Sequence, residues 1–163
     1  MVNKLDWLRN MVEVVKEVEE IEANTGKKIE PEIKDLVIGL RRWVQTQFSC
    51  EGHPDKLPYP WVDVSPEDED KLVFLCSLYN TRQRPFPGMI FWAIQPMSKY
   101  LRLLPIAKDA SLTQLQDSAV DFGKFLQKLR LPEPPTKETQ ILEPIASIEE
   151  AIGQRIPKRK ALP

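Results

Sequence analysis

The sequence predicts a single α+β domain in which a mostly antiparallel sheet of about four strands is covered on one face by helices. Apolar residues recur at helical spacing in several separate segments, which indicates amphipathic helices. Two pairs of shorter segments have the alternation or the continuous apolar character of strands. In chain order these segments predict the arrangement ααββαββα. A chain of 163 residues with 42% hydrophobic content is long enough to bury one such core.

Two helices are predicted before the first strand. The first ends near the turn sequence Asn24-Thr-Gly26. Its apolar stripe comprises Leu5, Leu8, Val12, Val15 and Val18. The second begins at Pro31, which suits the first turn of a helix because an N–H there would have no partner. Its apolar stripe comprises Ile33, Leu36, Val37, Leu40 and Val44. The second helix therefore leads directly into residues 47–51, which are predicted as a strand.

Two further helices and a second pair of strands follow. Ser65-Pro-Glu-Asp68 has the form of a capping box and predicts a third helix behind it. Residues 89–94 are apolar on both faces, as a central strand is, and residues 100–104 alternate and can pair with them. Ser111 is predicted to cap a last long helix. The inward residues of the two helices are predicted to be Leu72, Leu75, Cys76 and Tyr79, and then Leu112, Leu115, Ala119, Phe122, Leu126 and Leu129.

The segment after the last helix is predicted to leave the domain. The domain is assigned residues 1–131, and residues 132–163 are assigned to a proline-rich linker, a short amphipathic helix and a basic tail. The apolar stripe of that short helix comprises Ile141, Leu142, Ile145, Ile148 and Ile152. Because such a stripe is unfavourable in water, we expect the helix to dock reversibly on its own domain or on another copy of the chain.

Composition and charge narrow the classes of function. The formal net charge is -1, and Lys and Arg are scattered among Asp and Glu, so the chain lacks the basic stripe of a nucleic-acid-binding protein. No apolar run reaches the roughly 20 residues of a membrane span. Cys50 and Cys76 are expected to be free thiols. We therefore expect a cytoplasmic protein that does not act at a membrane, and a nucleic-acid partner is disfavoured.

The most site-like stretch is residues 48–64, where a thiol, carboxylates and the chain's one histidine lie between two predicted strands. Alternation of side chains predicts the two faces of this hairpin. The core face is predicted to comprise Phe48, Cys50, Val62 and Val64, and the outer face Ser49, Glu51, Trp61 and Asp63. Gly52 allows a sharp turn, and the prolines at 54, 58 and 60 stiffen the loop around His53. A stiff loop favours a preorganised site.

Three kinds of site are compatible with the hairpin. Cys50, Glu51 and His53 are the candidate catalytic residues, since a thiol becomes a useful nucleophile when a neighbour takes its proton. A zinc site would have to combine Cys50 and His53 with Asp63 and Cys76, and their poor spacing leads us to expect no metal and no cofactor. Non-covalent ligand binding needs the fewest assumptions. The predicted ligand-binding residues are Ser49, Glu51, His53, Trp61 and Asp63.

The hairpin also resembles segments of known proteins. Thr46-Gln-Phe-Ser-Cys-Glu-Gly-His53, followed by Pro60-Trp-Val-Asp-Val64, is similar to the Ser-Cys-Glu-Gly-His signature and Pro-Trp-Val strand of a group of small uncharacterised bacterial and phage proteins. This resemblance extends from about residue 30 to Leu129 and implies no particular activity. Phe48-Ser-Cys-Glu-Gly52 more loosely resembles the wybutosine-synthesis proteins, which implies a role in tRNA modification. His53 stands where that family has an arginine, and the chain lacks the family's basic character.

The sequence leads us to expect a cytosolic ligand-binding or regulatory domain whose site lies on the hairpin from Ser49 to Asp63. The first alternative is a small enzyme that uses Cys50, Glu51 and His53. The second alternative is a structural protein–protein interaction module.

Overall fold

A computed structural model describes residues 9–82 and 89–130 of the chain. Within these residues the fold is α+β, and the predicted order of helices and strands is confirmed. The helices are α1 (Met11–Thr25), α2 (Pro31–Arg41), α3 (Glu69–Arg82) and α4 (Leu112–Lys128). The strands are β1 (Thr46–Cys50), β2 (Trp61–Val64), β3 (Phe91–Pro96) and β4 (Leu101–Ile106). The predicted linker, short helix and tail in residues 132–163 lie outside the described residues.

The four strands form one antiparallel sheet in the order β1-β2-β4-β3, which the helices cover on one side. The side that packs against the helices, called the helix face below, includes Val62, Val64, Trp92, Leu101 and Leu103, all of them buried. Trp92 joins this face to α4, because its indole N–H donates to the hydroxyl of Ser118 at 3.0 Å and its ring lies 5.4 Å from that of Phe122. The core therefore lies between the sheet and the helices.

A β-bulge at Gln47 changes the direction of the side chains in β1. Thr46 pairs with Val64, but the next pair along the ladder is Phe48 with Asp63, so Gln47 is an extra residue in this strand. Side chains alternate between the two faces of a sheet, and one extra residue reverses the face of every side chain that follows it. Thr46 therefore points toward the helices, whereas Phe48 points away from them.

The bulge overturns part of the predicted hairpin geometry. The prediction that Phe48 and Cys50 point into the core is wrong, since Phe48 is 57% exposed and Cys50 is half-buried on the side away from the helices. Ser49, which was expected on the outer face, lies opposite Val62 on the helix face. The faces predicted for β2 are confirmed, because that strand contains no bulge.

The side of the sheet away from the helices is called the open face below. Cross-strand pairing brings its residues into short rows. The first row crosses all four strands and comprises Phe48, Asp63, Arg102 and Gln95. The other rows comprise Cys50 with Trp61, Ala93 with Leu104, and Phe91 with Ile106. Among these residues Asp63 and Arg102 are the charged ones, and they lie directly opposite each other.

Two glycines let α2 and α4 cross with their backbones in contact. A Cβ atom added to Gly39 would lie 2.6 Å from the carbonyl oxygen of Gly123. A Cβ atom added to Gly123 would overlap the backbone of Asp35 and Leu36. A larger residue at either position would force the helices apart, so this crossing fixes α2 relative to the rest of the helix layer.

One predicted helix cap is confirmed and the other is wrong. Ser111 caps α4 and forms a capping box, in which the backbone N–H of Gln114 donates to its hydroxyl at 3.2 Å. Ser65 makes no such side-chain bond, and a single 3-10 turn precedes α3. Asp68, expected in that capping box, accepts instead from the backbone N–H of Gln45 at 2.8 Å. This acid therefore ties the start of α3 to the chain between α2 and β1.

The buried stripe of α1 also differs from the prediction. The structure buries Val14 and Val18, whereas Val12 is 62% exposed. The predicted stripe extends a pattern that starts at Leu5 and Leu8, and these two residues lie outside the described part of the chain.

Candidate functional site

Apart from Ser49, which lies on the helix face, the predicted hairpin residues fall into two groups. Trp61 and Asp63 lie on the open face, and Cys50 lies beside them, opposite Trp61. Glu51 and His53 lie beyond the end of β1, in the loop that leads to β2. The hairpin therefore has an open-face site, which includes Trp61 and Asp63, and a loop-end site, which includes Glu51 and His53. Cys50 lies between the two sites.

An ion pair stacked on an aromatic ring forms the centre of the open face. Arg102 donates from Nε and Nη2 to the two carboxylate oxygens of Asp63, at 2.8 and 3.0 Å. The guanidinium carbon lies 3.9 Å from the centroid of the Trp61 ring. The hydrogen bonds from Arg102 to Asp63 raise the pKa of this arginine. Because the Asp63 side chain is 1% exposed, it holds Arg102 in place instead of meeting a ligand directly.

Apolar side chains on either side of this ion pair are exposed. The ring of Phe48 meets that of Tyr100 edge to face at a centroid distance of 5.6 Å. At the other end of the sheet Phe91 and Ile106 pair across β3 and β4, and they are 44% and 54% exposed. The open face is therefore largely apolar, and its two charges neutralise each other.

A tight turn at Gly52 shapes the loop-end site. The backbone of Gly52 has a φ of +90°, and a Cβ atom there would lie 2.6 Å from the carbonyl carbon of Tyr59, so no larger residue fits. Its N–H donates to the sulfur of Cys50 at 3.4 Å. The N–H of the next residue, His53, donates to the carbonyl of Leu57 at 2.9 Å. These bonds hold the chain's one histidine beside the thiol.

Two carboxyl groups, those of Glu32 and Glu51, lie beside each other at the loop end. A hydrogen bond with Glu32 raises the pKa of Glu51, and burial and the negative charges of Glu32 and Glu30 raise it further. The same hydrogen bond lowers the pKa of Glu32. Glu30 and Glu32 lie at the N-terminus of α2, so the helix start forms one wall of the loop-end site.

Glu30 also forms a cluster with Cys50 and His53. One carboxylate oxygen, the thiol sulfur and one imidazole nitrogen lie within 4.8 Å of one another. All three residues are half-buried, so solvent reaches them. They come from the residue that caps α2, the end of β1 and the hairpin loop. Oxygen, sulfur and nitrogen atoms placed in this way can coordinate a metal ion or exchange a proton.

The same geometry gives less support to a nucleophilic cysteine. In the described part of the chain the hydrogen bond to the Cys50 sulfur comes from the backbone of Gly52, not from the imidazole of His53. The other thiol, Cys76, donates to the carbonyl of Trp92 at 3.4 Å, and burial raises its pKa to about 12. A thiol with so high a pKa is protonated at neutral pH and is inert. Both cysteines are free, as predicted.

A cleft of about 390 Å³ lies elsewhere on the domain, and none of the predicted hairpin residues lines it. Most of its charged side chains pair with one another. Arg9 and Arg41 both form ion pairs with Glu17 of α1. Arg42 donates to the carbonyl of Leu126 at the end of α4, at 2.8 Å. Arg41 and Arg42 therefore link the end of α2 to α1 and α4. Because the charges of the cleft are paired in this way, the hairpin is the better candidate for the site.

Three residues that the hairpin geometry depends on were not predicted. Arg102 could have been found, because alternation in β4 makes it a candidate partner for Asp63, and an aspartate in a sheet needs a counter-charge once it is buried. Glu30 and Glu32 carry no such signal. Acidic residues at the start of a helix are common because they interact favourably with the helix dipole, and tertiary packing alone brings them to the loop.

Comparison with known proteins does not identify the chain's family. No protein-family model, curated protein or solved structure matches it. The two resemblances carried by residues 46–64 therefore stay predictions. No helix within residues 9–82 and 89–130 is long and apolar enough to cross a bilayer.

Proposed function

We propose that the protein is a binding domain that acts through the open face of its sheet, and that the partner is a second copy of this chain. The observation that carries the proposal is the exposure of Phe48, Phe91 and Ile106 on one face, at 57%, 44% and 54%. Exposed apolar side chains that share one face of a folded domain are typical of a surface that another protein covers. The hairpin that the sequence singled out contributes Trp61 and Asp63 to this surface.

The charges of the open face favour a second copy as the partner. The carboxylate of Asp63 and the guanidinium of Arg102 neutralise each other within one chain. Two identical faces can therefore approach without bringing uncompensated like charges together, which would oppose association. A strongly acidic or basic partner would gain nothing from this surface. Two sheets that pack face to face lie about 10 Å apart with their apolar side chains interleaved.

The size of the open face sets the strength of the contact. Four strands about 4.8 Å apart, each with about five residues of 3.3 Å, form a surface on the order of 300 Å². Stable interfaces bury about 800 Å² of accessible surface on each partner. We therefore expect a reversible dimer with a dissociation constant on the order of micromolar or weaker.

Replacing Phe91 with serine is expected to weaken dimerisation by at least about tenfold, because each dimer loses two buried aromatic rings. The matched control is Phe74→Ser, since Phe74 is 42% exposed on α3, away from the open face. Sedimentation equilibrium of the full chain over a wide concentration range measures both dissociation constants. We expect the control to associate as the unmodified protein does.

Two outcomes of the sedimentation experiment would overturn the proposal. The unmodified chain could remain monomeric at every concentration, which would mean that the open face does not bind a second copy of the chain. Alternatively, Phe91→Ser and Phe74→Ser could weaken association equally, in which case the contact does not lie on the open face. Circular dichroism of both variants checks that each remains folded.

A further inference from the structure

The cluster of Glu30, Cys50 and His53 goes beyond the proposed dimer and does not depend on it. It brings together a carboxylate oxygen, a sulfur and an imidazole nitrogen, all within 4.8 Å of one another. Atoms at the corners of a triangle with sides of this length lie about 2.8 Å from its centre, which is close to the 2.0–2.3 Å of zinc–ligand bonds. A small inward movement of three half-buried side chains would bring them to that distance.

We propose that Glu30, Cys50 and His53 bind one divalent metal ion of the zinc class, with a water molecule as its fourth ligand. The ligand atoms define the class of metal. A sulfur and an imidazole nitrogen suit Zn²⁺ and similar transition-metal ions, whereas Mg²⁺ and Ca²⁺ prefer oxygen ligands alone. Three protein ligands and one water is the usual arrangement where a zinc ion keeps an open position.

A hydrogen bond to the sulfur gives independent support to the metal site. The backbone N–H of Gly52 donates to the sulfur of Cys50 at 3.4 Å. A thiolate bound to a metal is commonly stabilised by such outer hydrogen bonds, which also fix its orientation. Gly52 can make this bond because its turn has a positive φ and passes directly against the backbone of Tyr59. The turn therefore keeps the N–H of Gly52 beside the sulfur of Cys50.

The surrounding charge also favours a cation. Glu32 and Glu51 lie beside the cluster and add two carboxyl groups to that of Glu30. None of the ion pairs among the described residues involves Glu30, Glu32 or Glu51. A bound divalent ion would supply the missing positive charge, and the Cys50 sulfur makes a transition-metal ion the suitable one.

This proposal replaces the expectation of no metal, which considered a different set of ligands. Asp63 is held by Arg102 on the open face. Cys76 is bonded to the carbonyl of Trp92 in the core. Neither can reach the loop end. Glu30 is the third member of the cluster with Cys50 and His53. It precedes α2 in the sequence, whereas β1 follows that helix.

Titration of the reduced full chain with Co²⁺ tests the site. We expect one equivalent to bind and to produce the absorption of a cobalt–thiolate bond, and Zn²⁺ to displace it. Cys50→Ser should abolish that absorption, whereas Cys76→Ser should keep it. Glu30→Gln and His53→Gln should weaken binding by at least about tenfold, since even the loss of an outer partner of a ligand costs about 10- to 100-fold. Glu20→Gln, an exposed change on α1, is the control for removing a carboxylate.

The thiolate absorption makes the result decisive, because the chain contains two cysteines and one histidine. Failure of the unmodified chain to bind Co²⁺ with a thiolate signal would overturn the proposal. An unchanged thiolate signal in Cys50→Ser would also overturn it. The same holds if Glu30→Gln and Glu20→Gln bind Co²⁺ with equal affinity. Glu30→Gln keeps the size of the side chain, so it tests the site even if Cys50→Ser folds poorly.

Discussion

Replacing Arg102 with methionine is expected to lower the free energy of unfolding by about 3–5 kcal/mol, because it leaves a buried carboxylate without its counter-charge. The Asp63 side chain is 1% exposed, and both of its oxygens accept hydrogen bonds from Arg102. Methionine retains apolar contact with the ring of Trp61 but supplies no donor. Urea unfolding followed by circular dichroism measures the change.

A double variant separates the charge effect from lost packing. Asp63→Asn combined with Arg102→Met removes the buried charge, so we expect it to regain most of the stability that Arg102→Met loses. A loss below about 1 kcal/mol in Arg102→Met alone would show that the ion pair is not buried, since an effect of that size is typical of a solvent-exposed ion pair. It would mean that water reaches Asp63 on the open face.

Replacing Gly123 with alanine is expected to destabilise the protein by about 1–3 kcal/mol or more, although alanine favours helices by about 1 kcal/mol over glycine. The added methyl group would overlap the backbone of Asp35 and Leu36 where α4 crosses α2. The helices would have to separate, and contacts on both sides of the crossing would loosen. Thermal unfolding and urea unfolding both measure the loss.

The neighbouring residue supplies the control for this glycine. Lys124 follows Gly123 on α4 and is exposed, so Lys124→Ala should change the stability by no more than about 0.5 kcal/mol. Gly39→Ala should behave like Gly123→Ala, because its methyl group would meet the carbonyl of Gly123 at 2.6 Å. If Gly123→Ala stabilises the protein, helix propensity outweighs the packing at this crossing and the described contact is wrong.

The sequence predicts the fold well because hydrophobic periodicity depends on local spacing. Burial of Ile33, Leu36 and Leu40 follows from steps of three and four in α2. The alternation in β2 is equally clear, and Val62 and Val64 are buried as predicted. These residues are specified by their own neighbours in the chain, so their placement needs no knowledge of tertiary structure.

The faces of β1 could not be predicted in the same way. Residues 47–51 alternate without interruption, and no glycine or proline marks the bulge at Gln47. The bulge appears only when β1 pairs with β2, because it is a property of two strands and not of one. Phe48 and Cys50 consequently point to the opposite side from the one that alternation predicts.

Only part of the candidate site could be predicted, for a related reason. Cys50, Glu51 and His53 are close in the sequence, so the hairpin loop could be singled out from residue types and turn signals alone. Glu30 and Arg102 reach the site from another helix and another strand. Contacts between elements distant in sequence depend on packing, and a single sequence carries little information about them.

Labelling of the native thiols tests whether the bulge turns Cys50 onto the open side of the sheet. The full chain is treated with a thiol reagent in the presence of a metal chelator, and peptide mapping then locates the label. We expect Cys50 to react in the folded protein, whereas Cys76, which is 5% exposed in the core, should react only after unfolding. Protection of Cys50 to the same degree as Cys76 would mean that Cys50 lies on the core face, as simple alternation predicts, and that the bulge does not reverse the strand.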